Sequence, residues 1–348
     1  MIIRKVLKPI ICVISIFIVT ANAQQVMLFV RNGLLLCYNN VIPSLFVFMV
    51  LSSYLGQGQF VRILSIPFMW YSKLMKINDR KISSGILLSL LGGFAVGAGF
   101  LDEMQKSGYE TNCIKAICPV LINNSMSFCV FAVGIGMLDN YYLGWMLFIS
   151  LASASLITGF IMSFIYQYNI VSSKKYPEEK AKTFADCVTN SVKNILSICG
   201  YVIIFYVLCK VIKLYISSKS IEIILSAVLE VTGGCAEIAL NTGKSPFYIC
   251  IALSILPLST LCQVFHFTQN VDIIETLVIS RIIHTPLSLM IFTIICNLFP
   301  VAAGALNPSF IAVRHFYNSF EISSTMFMIV LCFIVIADHN RLFTKAQK

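Results

Sequence analysis

The 348-residue chain is 58% hydrophobic and only 11% charged, with a mean hydropathy of +0.87. No water-soluble globule of that size has enough polar surface to cover such a composition, which excludes a soluble enzyme or binding domain and makes this an integral membrane protein. Its net charge of +10 fits loop orientation and anionic headgroups, so no nucleic-acid partner is expected.

In chain order, apolar runs near the roughly 20 residues that cross a 30 Å hydrocarbon core are predicted at 6–22, 33–55, 112–137, 144–168, 187–213, 247–268, 273–299 and 322–337. The expected fold class is an all-α polytopic membrane protein with about eight transmembrane helices. Residues 1–24 read as a retained span or as a signal peptide, because Arg4, Lys5 and Lys8 precede an apolar middle that ends on Ala21-Asn22-Ala23. Either way residue 24 emerges outside. Arg62, Lys73, Lys76, Arg80 and Lys81 then hold the 57–81 loop in the cytoplasm, as Lys174, Lys175, Lys180 and Lys182 hold the 169–186 linker. Residues 301–348 supply a last span and a basic tail with Arg341, Lys345 and Lys348. Both termini are expected to be cytoplasmic in a cell membrane, the N-terminus outside if the first span is cleaved. Lys210, Lys213 and Lys219 run against the charge rule. The 13 cysteines are scattered through apolar spans without a CxxC pair and read as packing residues, so neither a disulfide framework nor a metal site is expected.

Two apolar stretches sit between full spans, 82–108 and 220–243, and each carries a Gly-Gly pair near its middle, Gly92-Gly93 and Gly233-Gly234. Split at those pairs, the arms are too short to cross and predict re-entrant helical hairpins, whose tip backbone must be buried in protein or line a wet cavity. The order span, hairpin, span with a polar middle, span occurs in 30–168 and again in 187–300. Three full spans per unit is an odd number, so the second copy must enter from the opposite side as an inverted structural repeat, an architecture that places a ligand near the midplane between broken elements.

The polar residues of the third span in each copy fall at matching depth. The first copy has Pro119, Asn123, Asn124, Ser125 and Ser127; the second has Pro257, Ser259, Thr260, Gln263 and His266. Proline removes a helix hydrogen bond, and these side chains carry donors and acceptors that hydrocarbon leaves unsatisfied. Interhelical glue is the alternative use. Among ionisable residues inside apolar sequence, Glu230 is the candidate for a coupling proton or sodium ion and Arg281 for an anionic substrate, unless the two pair with each other or Arg281 snorkels. Asp102 and Glu103 are expected where the first hairpin returns to water, and His266 and His284 as packed polar residues.

The stretches "CYNNVIPSLFVFMVLSSYL", "SLLGGFAVGAGFLDEM", "LINNS", "LEVTGG" and "LPLSTLCQV", in that order, resemble the YlbJ-like sporulation integral membrane proteins with nucleoside-recognition (Gate) repeats, over about residues 30–300. That family is distantly similar to concentrative nucleoside transporters. The resemblance implies paired re-entrant hairpins, a role in moving dipicolinic acid during sporulation, and a forespore membrane. It carries Gly92, Gly93, Asn123, Asn124 and Ser125 onto the first-half signature and Glu230, Thr232, Gly233, Gly234, Ser259 and Gln263 onto the second. Phe94-Ala95 stands where the family pattern has Tyr-Pro after the first glycine pair, and Leu-Pro-Leu stands where it has a glycine pair.

The functional expectation is a secondary transporter for a small polar or anionic solute, dipicolinate by resemblance, with a nucleoside-type transporter or a sporulation scaffold as alternatives. A homo-oligomer is compatible with it. No enzyme is expected, because HExxH, GxSxG and the full phosphate-loop pattern are all absent.

Overall fold

The computed structural model describes residues 16–169, 171–172, 182–216, 218–243, 245–268 and 273–299. The predicted last span at 322–337, the basic tail and most of the 169–186 linker lie outside the described residues, as does the start of the first predicted span.

Among the described residues, five helices are long and apolar enough to cross a membrane: α1, Ala23–Leu55; α8, Tyr141–Ile165; α9, Phe184–Lys213; the broken helix Pro246–Phe267; and α14, Ile274–Leu298. Their outward faces carry Met27, Leu34, Phe164, Leu196, Ile204, Ile282 and Met290, all exposed. A surface so apolar is stable in lipid, and the chain is an all-α, multi-pass membrane protein. Its β-structure among the described residues is one short parallel pairing of β1, Ile77–Asn78, with β2, Val171–Ser172.

The sequence predicts an external turn between 6–22 and 33–55. The backbone is instead helical over residues 16–21 and again through Ala23–Leu55, and Asn22 is the one interruption. The Val26 amide still donates to the Asn22 carbonyl there, so the residues expected as a loop continue the helix. Within α1, Cys37–Val41 winds as a π-helix.

After α1, two short helices, α2 (Phe60–Leu64) and α3 (Met69–Leu74), lead through β1 to α4, Arg80–Gly92. Asp79 starts α4 by accepting from the Lys81 and Ile82 amides, at 2.7 and 3.3 Å. At Gly93 the chain takes φ +81°, a conformation that a side chain would strain, and α5 (Phe94–Lys106) runs back along α4. Each arm has 13 residues, about 20 Å of helix, and neither reaches across a bilayer alone. The Lys81–Glu103 ion pair (2.7 Å) ties the arms near their feet.

The predicted span 112–137 is not one helix. α6, Thr111–Leu121, contains Pro119 and stops; residues 122–125 are irregular; and α7, Phe128–Ile135, continues as a π-helix. The second half is built from a long helix, a short pair, a broken span and a long helix. α9 is followed by the short pair α10 (Lys219–Leu229) and α11 (Val231–Asn241), then by α12 (Pro246–Ser254), a break at Ile255–Pro257, α13 (Leu258–Phe267), and α14. The break between α10 and α11 lies at Glu230, not at Gly233-Gly234. Glu230 is extended, with φ −149° and ψ 128°, and the two glycines fall in the first turn of α11.

The long helices pair by position, α1 against α9 and α8 against α14. Lipid supplies no hydrophobic drive between helices, so close approach matters. A Cβ on Gly97 would stand 1.8 Å from the Leu121 carbonyl oxygen, and one on Gly234 2.7 Å from the Ala227 Cα. These two glycines seat α5 on the end of α6 and α11 on α10. Two buried clusters result, one around Leu45, Leu147, Val202 and Ile249, the other around Ile86, Leu101, Ile117 and Leu277. Phe94 and Phe267 pack against both, so the broken elements meet where the two cores join.

Candidate functional site

Where the breaks meet there is a cavity of about 30 Å³, room for about two water molecules. Of the residues singled out in the sequence, it is lined by Gly92 and Gly93 at the first tip, Glu230 and Thr232 at the second, Asn124 and Ser125 in the first broken span, and Thr260 and Gln263 in the second. Val41 and Leu45 of α1 and Ile198 and Val202 of α9 close it on the other side.

Three helix N-termini border it and that of α13 lies one turn away, and they are treated differently. α11 is capped by its own preceding residue, since Glu230 accepts from the Thr232 amide at 2.9 Å and from the Gly233 amide. α7 is capped by Ser125, whose hydroxyl accepts from the Phe128 amide at 3.0 Å. α5 begins at Gly93 and α13 at Pro257, and neither receives a side-chain cap. The cavity therefore holds one carboxylate and the bare amide end of α5, with no cationic side chain in its lining.

Gln263 is only 2% exposed, and its amide has no hydrogen-bond partner among the described residues; the Thr260 hydroxyl has none either. Buried polar groups are normally paired, so an unpaired amide facing a cavity marks a place for a ligand or water to complete. A solute with both donors and acceptors is what this lining would satisfy.

Other predicted residues hold the breaks in place. Asn124 reaches across the halves and donates from Nδ2 to the Leu253 carbonyl (2.7 Å) at the end of α12. Asn123 donates to Ser155 Oγ at 3.0 Å and accepts from the Asn124 amide, so it belongs to the scaffold. Ser259 is buried outside the lining, and its hydroxyl has no partner among the described residues. Gly233 and Gly234 line a smaller space behind Glu230, shared with Tyr206, Lys210 and Glu237.

The structure does not bring Arg281 to the cavity. Its Nη2 donates to the Ile122 carbonyl (2.6 Å), the frayed end of α6, and its Nη1 lies 3.3 Å from His284 Nδ1. His284 in turn donates from Nε2 to the Leu151 carbonyl at 3.2 Å. A guanidinium at a helix C-terminus meets both free carbonyls and the negative end of the dipole. Among the described residues no ion pair joins Arg281 to Glu230.

Lys210 and Lys213, which run against the charge rule, both pair with Glu237 on α11, Lys213 at 3.3 Å. Asp102 pairs with Lys106 at 2.7 Å. The cysteines among the described residues are mostly buried.

A larger vestibule of about 330 Å³ lies between α1, α5 and α9 and shares Ala95 with the tip cavity. Gly56 and Lys182, at the ends of the two basic loops, border it. Its α9 residues Asn190, Ser191, Lys193 and Asn194 escaped notice in the sequence, although they sit on neighbouring turns of one helix. Comparison of the chain with family models, with curated proteins and with solved structures returns no match.

Proposed function

We propose that this protein is a secondary transporter for a small polar or anionic solute, with α4–α5 and α10–α11 acting as re-entrant hairpins of an inverted repeat. The observation that carries this reading is the convergence of both tips and both polar breaks on one cavity with an unpaired Gln263 amide. Broken helices are costly in a membrane unless their ends are buried or serve a ligand. A scaffold has no need of matched breaks, nor of a buried carboxylate between them.

In this reading Glu230 carries the coupling proton or sodium ion. The tip cavity holds only about two waters, and so stands occluded. The vestibule leads toward it from the side of the basic loops, the cytoplasmic face by the charge rule. α1 crosses once, which puts residue 16 on the face opposite the 57–81 loop. The resemblance makes dipicolinate and nucleosides the first solutes to try and a forespore membrane the first location.

The test is uptake into proteoliposomes of labelled dipicolinate and nucleosides, under proton and sodium gradients. Gln263→Leu and Thr260→Val should abolish uptake while the protein stays folded in the membrane. Cysteines placed at 82 and 106, in a background without reactive native thiols, should label from one face, and those at 220 and 243 from the other. Uptake unaffected by both cavity variants would refute the site, and opposite-face labelling of either pair would make that segment a full span.

A further inference from the structure

We propose that the vestibule between α1, α5 and α9 is a binding site in its own right for a small carboxylate-bearing solute, which rests there before the tips part. Its purpose rests on the transport reading above; its chemistry does not. Volume is the first argument. A cavity of about 30 Å³ cannot seat a solute of ten heavy atoms, whereas about 330 Å³ lies within the usual range of small-molecule pockets.

The second argument is an unusual set of unused polar groups. Serines in these helices mostly turn back onto their own backbone, as Ser44, Ser150 and Ser163 do. Ser191 is 2% exposed and does not, and among the described residues its buried hydroxyl, the half-buried Ser53 hydroxyl and Asn194 amide, and the exposed Asn190 amide have no protein partner. All of them face the vestibule.

Charge selects the ligand. Lys193, an exposed residue at the rim, adds an ammonium with no carboxylate partner among the described residues, and Glu103, the one carboxylate in the lining, is already held by Lys81 at 2.7 Å. The space thus presents an unspent cation surrounded by hydroxyl and amide donors, which a carboxylate would satisfy by charge-assisted hydrogen bonds. Arg281, bound to the Ile122 carbonyl, is not needed for anion recognition.

Gly99 makes a clean test possible, because a side chain built there meets nothing within 4 Å and would project into the vestibule from α5. Binding of isophthalate, benzoate and benzamide to the full-length protein in nanodiscs should be measured by calorimetry, with unfolding temperature as a check on each variant. Isophthalate should bind most tightly and benzamide least. Lys193→Gln should weaken isophthalate about tenfold and leave benzamide within about twofold. Gly99→Leu should remove binding of all three without lowering the unfolding temperature. Isophthalate binding that survives both variants, equal affinity for benzamide, or no binding at all would overturn the proposal. Binding lost in Gln263→Leu but kept in Gly99→Leu overturns it and leaves the transport reading intact. Binding that follows the vestibule variants, with uptake indifferent to Gln263→Leu, supports it and sinks that reading instead.

Discussion

Two glycines two residues apart on α5 should respond to alanine with opposite signs. A methyl on Gly97 would lie 1.8 Å from the Leu121 oxygen and 2.6 Å from its carbonyl carbon, both backbone atoms that cannot swing away. Restoring even 3.0 Å from 1.8 Å demands that α5 retreat by about 1.2 Å. Overpacking of that kind costs about 1–3 kcal/mol. Gly99 faces open space, so alanine there gains up to about 1 kcal/mol of helix propensity. Thermal unfolding of the two variants in one detergent measures the difference directly. The retreat also carries Gly93 and Ala95 away from the tip cavity, so Gly97→Ala should lose uptake while Gly99→Ala keeps it. If Gly97→Ala unfolds at or above the temperature of Gly99→Ala, the seating of α5 on the end of α6 is wrong, and with it the placement of the first tip.

Gly93→Ala should destabilise by about 1–3 kcal/mol, because φ +81° with ψ −169° is a conformation essentially reserved to glycine, and its unfolding temperature should fall accordingly. Glu237→Gln strands two largely buried ammonium groups and should cost about 3 kcal/mol, whereas Lys210→Gln leaves Glu237 its Lys213 partner and should cost clearly less; equal losses in membrane abundance would contradict the shared pairing. Arg281→Gln should lower stability by about 1–3 kcal/mol through the uncapped Ile122 carbonyl, yet leave isophthalate affinity unchanged; a selective loss of affinity would return Arg281 to the substrate.

The order of elements was legible because apolar length and glycine pairs are written locally. Feet of the short pairs at Arg80 and Lys106, and at Lys219 and Asn241, fall within a few residues of the predicted limits 82–108 and 220–243. The second break was misplaced for a physical reason. Gly233-Gly234 is the conspicuous breaking signal, but a carboxylate that can accept the next two amides starts a helix more decisively than glycine ends one. Glu230 stood out as a buried charge, while its capping role depends on a geometry that hydropathy does not carry. Arg281 shows the opposite error, since nothing in "LVISRIIHTPLSLM" reveals that a main-chain carbonyl 159 residues away, rather than a solute, waits for the guanidinium. Lys210 and Lys213 broke the charge rule only until Glu237 was set beside them.

The π-helical segments Cys37–Val41 and Phe128–Ile135 lie against each other, and Val41 and Phe128 both belong to the wall of the tip cavity. A π turn stores slack, since it holds one residue more than the α turn it replaces. Taking up that slack slides one side of the helix past the other by a single residue, about 1.5 Å along the axis and 100° around it. The hydrogen-bond ladder is disturbed only within the turn that changes. Two such turns side by side place the surplus residue of each span at the wall of the tip cavity.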